Sequence, residues 1–168
     1  ALGDVVHTLP ALELLRAALP EAELTWAVEA FAAPLLRGHP ALDRIVVLDR
    51  RGVTRAGARL RGLRALGAGV RALRRERFDA ALDFQGLLRS ALVARGSGAR
   101  RVFGPGWARE GATLLYTDRL AVPRPHHAHA VLRAGAIVRE SLAALGVATS
   151  EGALPSGRLP GELLGGFA

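Results

Sequence analysis

Hydrophobic and polar positions along this chain follow two rhythms, one helical and one extended, and the two take turns. Val5, Val6, Leu9, Leu12, Leu15 and Leu19 recur at helical spacing, which predicts a helix over Val5–Ala18 with an irregular or kinked turn at Pro10. Pro20 ends it. Leu24–Val28 predicts a short strand, and Phe31–Arg37 a short helix closed by Gly38 and Pro40. Arg44–Leu48 reads as an unbroken apolar strand of the kind buried on both faces of a parallel sheet. From about Arg55 to Arg77, Leu60, Leu63, Leu66, Val70 and Leu73 form an apolar stripe between arginines. Gly57, Gly62, Gly67 and Gly69 weaken that helix and predict a break near Gly67. Asp79–Asp83 predicts a strand, Leu87–Ala94 a helix, Arg100–Phe103 a strand and Gly104-Pro105-Gly106 a loop. Arg109–Tyr116 follows as a short helix or turn, and His129–Leu145 as a final amphipathic helix.

Strands alternating with helices predict an α/β domain with a Rossmann-like, mostly parallel sheet and helices on both faces. From Gly146 the pattern loosens, and Glu151–Gly166, with its glycines and two prolines, reads as a linker. Ligands of open α/β sheets bind beyond the carboxyl ends of the strands. Four segments should therefore converge on one edge: Gly3-Asp4, Asp49-Arg50-Arg51, Gln85-Gly86 and Gly104-Pro105-Gly106. Leu2-Gly3-Asp4 running directly into an apolar helix looks like a strand-to-helix turn whose strand lies upstream. Gly3 suits the tight turn, and Asp4 suits the helix N-terminus as a cap or first-turn residue. On the residues alone, Asp4 has two readings, a helix cap or a reactive carboxylate.

These segments resemble the lipopolysaccharide heptosyltransferases of glycosyltransferase family 9. The opening Leu2-Gly3-Asp4-Val5-Val6-His7-Thr8-Leu9-Pro10 is similar to the family's first turn and helix. Thr25-Trp26-Ala27-Val28-Glu29 with Phe31-Ala32 resembles its second strand and loop, and His39-Pro40-Ala41-Leu42-Asp43-Arg44-Ile45-Val46 its approach to the third. Phe78-Asp79-Ala80-Ala81-Leu82-Asp83-Phe84-Gln85-Gly86-Leu87-Leu88-Arg89-Ser90-Ala91-Leu92 resembles its fourth strand and the following helix, and Ala108-Arg109-Glu110 and His129-Ala130-Val131 fall in the right order further on. The likeness covers roughly residues 1–145. It departs at Leu132, where relatives usually carry glutamate.

The resemblance implies the N-terminal half of a GT-B fold with its first strand truncated. Residues 1–148 would form the acceptor-binding domain, and 149–168 a linker toward a missing nucleotide-sugar-binding domain. It further implies an inverting, metal-independent transfer of heptose from ADP-heptose to Kdo-lipid A in the lipopolysaccharide inner core, with no cofactor. Asp4 matches the family's proposed catalytic base. Gly3, Arg50, Arg51, Gln85 and Arg109 would contact the acceptor. On that reading this piece alone is inactive. The Asp83-Phe84-Gln85-Gly86 and Thr25–Glu29 segments favour the type I branch over types II and III.

Composition narrows the alternatives. The chain has 168 residues and is 50% hydrophobic, enough for one globular core. It contains no methionine, even at position 1, which predicts a piece of a longer chain. No cysteine is present, so disulfides, thiolate metal sites and cysteine nucleophiles drop out. No apolar run approaches the roughly 20 residues of a spanning helix, and no signal-peptide pattern appears. Net charge is +8, and all 23 basic residues are arginine. Coding bias accounts for arginine over lysine, whereas the positive excess favours an anionic partner. A cytoplasmic enzyme, peripheral on the inner face of the inner membrane, fits. A nucleic-acid-binding module built on Arg50–Arg77 is the alternative of another class. Against it, only 5% of residues are aromatic and no stacking motif interleaves the arginines, so nucleic acid is not expected.

The chemistry follows from these residue types. A carboxylate within reach of an acceptor hydroxyl can take its proton as the oxygen attacks an activated sugar. Guanidinium groups bind phosphates and carboxylates bidentately, although any single arginine here also reads as a solvated surface charge. Gln85 is an acceptor contact or a polar cap on the next helix. His126-His127-Ala128-His129 lacks accompanying cysteines or paired carboxylates, so it reads as a loop entering a helix and no metal site is expected. His7 reads as a packed helical residue.

Overall fold

The computed structural model of the chain describes residues 2–48 and 59–148, with backbone only for 59–66. Four helices and five strands are described: α1 (Leu2–Ala18), β1 (Thr25–Glu29), β2 (Arg44–Leu48), α2 (Arg59–Arg75), β3 (Ala80–Leu82), α3 (Leu88–Gly96), β4 (Arg101–Pro105), β5 (Asp118–Leu120) and α4 (Ala130–Ala144). Short 3₁₀ turns at Ala33–Leu36 and Ala112–Leu115 complete the order.

Every pairing is parallel, as the βα alternation requires. β1 pairs with β2 from Thr25↔Arg44 to Glu29↔Leu48. β3 pairs with β4 (Ala81↔Val102), and β4 with β5 (Gly104↔Arg119). Among the described residues the strands form two sheets, β1-β2 and β3-β4-β5, and no strand joins them. Packing joins them instead. Val5 and Leu9 of α1 bury against Val28 and Leu36 on the first sheet's side. Ala11 and the half-buried Leu14 and Leu15 pack with Leu82, Phe84 and, on α4, Ala134, Val138 and Leu142.

Several expectations change. α1 begins by Leu2, so Gly3 lies within the helix and supplies no tight turn, and Asp4 is a first-turn residue. The helix continues through Pro10, whose missing N–H is tolerated within α1. Among the described residues β2 is bonded to β1 alone and is not buried on both faces, with Val47 left 47% exposed. α2 does not break at Gly67. A Cβ on Gly69 would stand 2.7 Å from Leu48, and one on Gly96 would stand 2.7 Å from Val70, so these glycines let helices approach closely. Gly104 and Pro105 belong to β4 rather than to a loop, because they pair with Arg119 and Leu120 of β5; the Tyr116 ring occupies the place of a Gly104 Cβ. β5 was not expected.

Polar groups tie the sheet ends down. Arg101 binds Asp118 across β4 and β5, donates to the Ala144 carbonyl at 2.6 Å and stacks on Phe103 at 4.7 Å. Arg16 reaches Asp43 and the carbonyls of Ala22 and Ala41. His39 is 5% exposed, and its Nδ1 accepts from the Ala41 amide at 3.2 Å. Burial lowers the His39 pKa below its ordinary value, and Glu13 opposes that only in part. The unfolded chain then binds more protons between the two values, so stability is intact above about pH 6.5 and is lost as pH falls through that point. The Asp43 carboxyl, lowered by the Leu24 amide and Arg16, and the Asp118 carboxyl, lowered by Arg101, titrate below this window. Between pH 7.5 and 5.0 the melting temperature should fall. His39→Asn, which keeps an acceptor for Ala41, should flatten the curve. Identical curves would remove His39 as the source.

Candidate functional site

Parallel strands returned by helices bring the helix N-termini to the rim where the strands end. On that rim the loop after β3 and the loop after β4 are built as one unit. Asp83 closes β3, and its Oδ1 accepts the amides of Gln85 at 2.9 Å and Gly86 at 3.2 Å, a turn closed by its own side chain. Gly86 has φ +65, and a Cβ there would meet Trp107 at 3.0 Å and Pro105 at 3.1 Å. Glycine is required on both counts.

Leu87 stands at the N-cap of α3 with no side chain able to accept a hydrogen bond, so the orphan amides are satisfied from elsewhere. Ser90 Oγ accepts from Leu87 N at 3.2 Å. Glu110 Oε2, from the neighbouring loop, accepts from Leu88 N at 3.3 Å, with Glu110 itself in the left-handed region at φ 60. The same loop returns Arg109 N to Gly86 O at 2.9 Å. Gln85 and Arg109, singled out separately, are thereby carried on two segments in direct contact, with both side chains exposed.

α4 borders this unit. The Arg133 guanidinium lies 5.9 Å from the Trp107 ring centre and donates to the carbonyls of Ala128 and Pro125. His129 caps α4, its Nδ1 accepting from Val131 N, and 126–128 form the turn before it. Its ring meets that of His7 edge to face at 5.1 Å. His7 thus sets α4's N-cap against α1 one turn beyond Asp4, which is exposed and whose carbonyl accepts from Thr8 Oγ1 at 2.7 Å. Arg109 N–Gly86 O joins the Gln85 and Arg109 segments, whereas Asp4 lies on α1, which meets α4 through His7 and His129. Gly3 lies exposed on the same first turn. Arg50 and Arg51 lie outside the described residues.

Asp83, Glu110, Trp107 and Tyr116 build this rim and were not singled out for it. Asp83 carried one local signal, its place three residues before a glycine in Asp-Phe-Gln-Gly. The partners of Trp107 and Tyr116 are too distant in sequence to be read. Among the described residues, no group of three His, Cys, Asp or Glu side chains could hold a metal, and no helix is long and apolar enough to cross a membrane.

A parallel α/β domain whose clasped loops present polar side chains beyond the strand ends is of the Rossmann-like class. The chain belongs to glycosyltransferase family 9 (heptosyltransferase), whose model matches residues 67–155. It is 34% identical over 133 residues to lipopolysaccharide heptosyltransferase 1 of Salmonella typhimurium, an alignment covering 76% of this chain and 41% of that protein. The E. coli heptosyltransferase WaaC with ADP superposes with a TM-score of 0.74 at 30% identity, covering 90% of this chain and 47% of that one. WaaC with ADP-2-deoxy-2-fluoro heptose gives 0.71 at 29% identity, covering 91% and 48%. The chain thus spans about two fifths of the curated relative's length (41%).

Gly86→Ala tests the clasp. Left-handed strain and contact with Trp107 together should cost about 2–4 kcal/mol. The denaturation midpoint followed by tryptophan fluorescence should fall accordingly, and an unchanged midpoint would contradict the turn described.

Proposed function

We propose that this chain supplies the acceptor side of an inverting heptosyltransferase. The whole enzyme would move heptose from ADP-heptose onto Kdo-lipid A during lipopolysaccharide core synthesis. Residues 1–148 form the acceptor-binding domain, 149–168 lead toward a second domain, and the donor sits on that domain. Family membership and the likeness to WaaC with ADP and with an ADP-heptose analogue support this reading. The observation that carries it is the 2.9 Å bond from Arg109 N to Gly86 O, which couples the Gln85 and Arg109 segments beside the helix ends of α1 and α4.

The proposed chemistry is a single displacement. An acceptor hydroxyl oxygen attacks the anomeric carbon of the donor and gives its proton to the Asp4 carboxylate, and the bond to the ADP oxygen breaks with its electron pair. One displacement inverts the anomeric centre, so one carboxylate suffices. Arg109, with Arg50 and Arg51, holds the phosphates and carboxylates of the acceptor. Gln85 hydrogen-bonds it, and Gly3 leaves room at the first turn of α1. Positioning, and exclusion of water when a second domain closes, raise the effectiveness of Asp4.

In a protein carrying this chain at the full length of its relatives, Asp4→Asn should slow ADP release by about 10²–10⁴-fold. Arg109→Ala should chiefly raise the acceptor KM. Full turnover in Asp4→Asn would remove Asp4 as the base.

The acceptor is a membrane lipid, and the reading includes a cytoplasmic enzyme resting on the anionic inner leaflet. Arg71, Arg74 and Arg75 are exposed on α2, in a chain of net charge +8. Each arginine near such a surface contributes roughly 1 kcal/mol at moderate salt. Sedimentation with vesicles containing phosphatidylglycerol should exceed that with phosphatidylcholine alone and fall with salt. Arg71→Glu with Arg75→Glu should reduce it. Equal sedimentation with both lipids would count against the membrane contact.

A further inference from the structure

Asp83 is 4% exposed and has no part in the chemistry above, yet both its oxygens are fully engaged. Oδ1 accepts the Gln85 and Gly86 amides, a local arrangement that would serve any tight turn. Oδ2 is different. It accepts the Tyr116 hydroxyl at 2.7 Å and the Ser90 hydroxyl at 2.9 Å, from positions 33 and 7 residues away.

A buried carboxylate is costly unless its lone pairs are satisfied; the two amides and the Tyr116 hydroxyl do this, joined by the Ser90 hydroxyl, whose single proton is shared with the Leu87 carbonyl at 2.9 Å. Tyr116 is in turn fixed, because its ring packs over Gly104 of β4 at a spacing that admits no Cβ. Its hydroxyl is pushed to a pKa well above the ordinary tyrosine value by burial and by the Asp83 charge, so it remains a donor. Tyr116 ends the segment that begins at Arg109, and Ser90 lies on the first turn of the helix that follows Gln85. One carboxylate therefore sets the Gln85 turn, the start of α3 and the Arg109 segment against β4 at the same time.

We propose that Asp83, held by Tyr116 and Ser90, is a positioning residue that presets the spacing of Gln85 and Arg109 for the acceptor. The proposal rests on the reading of those two residues as acceptor contacts. A frame of this kind acts on acceptor binding and leaves the donor untouched, which separates it from a purely structural role.

The test uses a family-length protein, with steady-state kinetics in which Kdo-lipid A and ADP-heptose are varied separately. Tyr116→Phe removes one hydroxyl and should raise the acceptor KM about three- to tenfold, with kcat and the donor KM within about twofold. Asp83→Asn keeps an acceptor for the two amides, sets an amide against the two hydroxyls, and should raise the acceptor KM further. Parallel losses in kcat and both KM values that track the folded fraction would overturn the proposal, as would an unchanged acceptor KM in a folded Tyr116→Phe protein. Gln85→Ala separates the two layers. If it raises the acceptor KM while Tyr116→Phe and Asp83→Asn do not, Asp83 loses its role and the acceptor reading stands. If Gln85→Ala leaves the acceptor KM unchanged, the acceptor reading fails and takes this proposal with it.

Discussion

The packing of α1 across two sheets is the constraint on which the rest depends. β1-β2 and β3-β4-β5 share no backbone hydrogen bond among the described residues, so side chains must hold them in one body. α1 does this with two apolar faces. Val5 and Leu9 serve the first sheet, while Ala11, Leu14 and Leu15 serve the second together with α4. A helix that buries two sides shows little amphipathic contrast, and this explains why its apolar residues crowd the sequence more densely than one stripe requires. Its exposed N-terminal turn carries Asp4, so the element that unifies the core also ends in an acidic first turn at the surface.

The fold was legible in the sequence because period and punctuation agree over most of the chain. Arg44–Leu48 and Ala130–Ala144 fall within a residue of the spans that the pattern suggests. The failures share a physical cause, which is tertiary contact that local pattern cannot encode. Gly104-Pro105 looks like a loop by residue type but lies in β4, since it pairs with Arg119 and Leu120 of β5 and Leu120 O receives the Gly106 amide. Asp118–Leu120 is too short and polar to read as a strand, and it becomes one because β4 offers its edge and Arg101 binds Asp118. Gly67 and Gly69 suggested weakness in α2, whereas Gly69 serves close approach to Leu48.

The candidate site was legible in its exposed members and not in its frame. Asp4, Gln85 and Arg109 are picked out by the βα rule, which needs only the order of elements, and the structure leaves all three exposed. Asp83 and Tyr116 lie 33 residues apart, and their contact follows from the parallel register of β3 and β4 with the turn back over Gly104. Glu110 carries no signal of its own in the sequence. Its carboxylate reaches across to Leu88 N because Leu87 cannot cap its own helix.

The loops at 85–88 and 106–111 are clasped through main-chain amides and carbonyls and through residues that face inward. The outward side chains at 85 and 109 carry none of that burden. Replacing them would leave the backbone scaffold intact, so these positions can vary without cost to the fold. Tolerance of surface change is thus a by-product of how the rim is fastened.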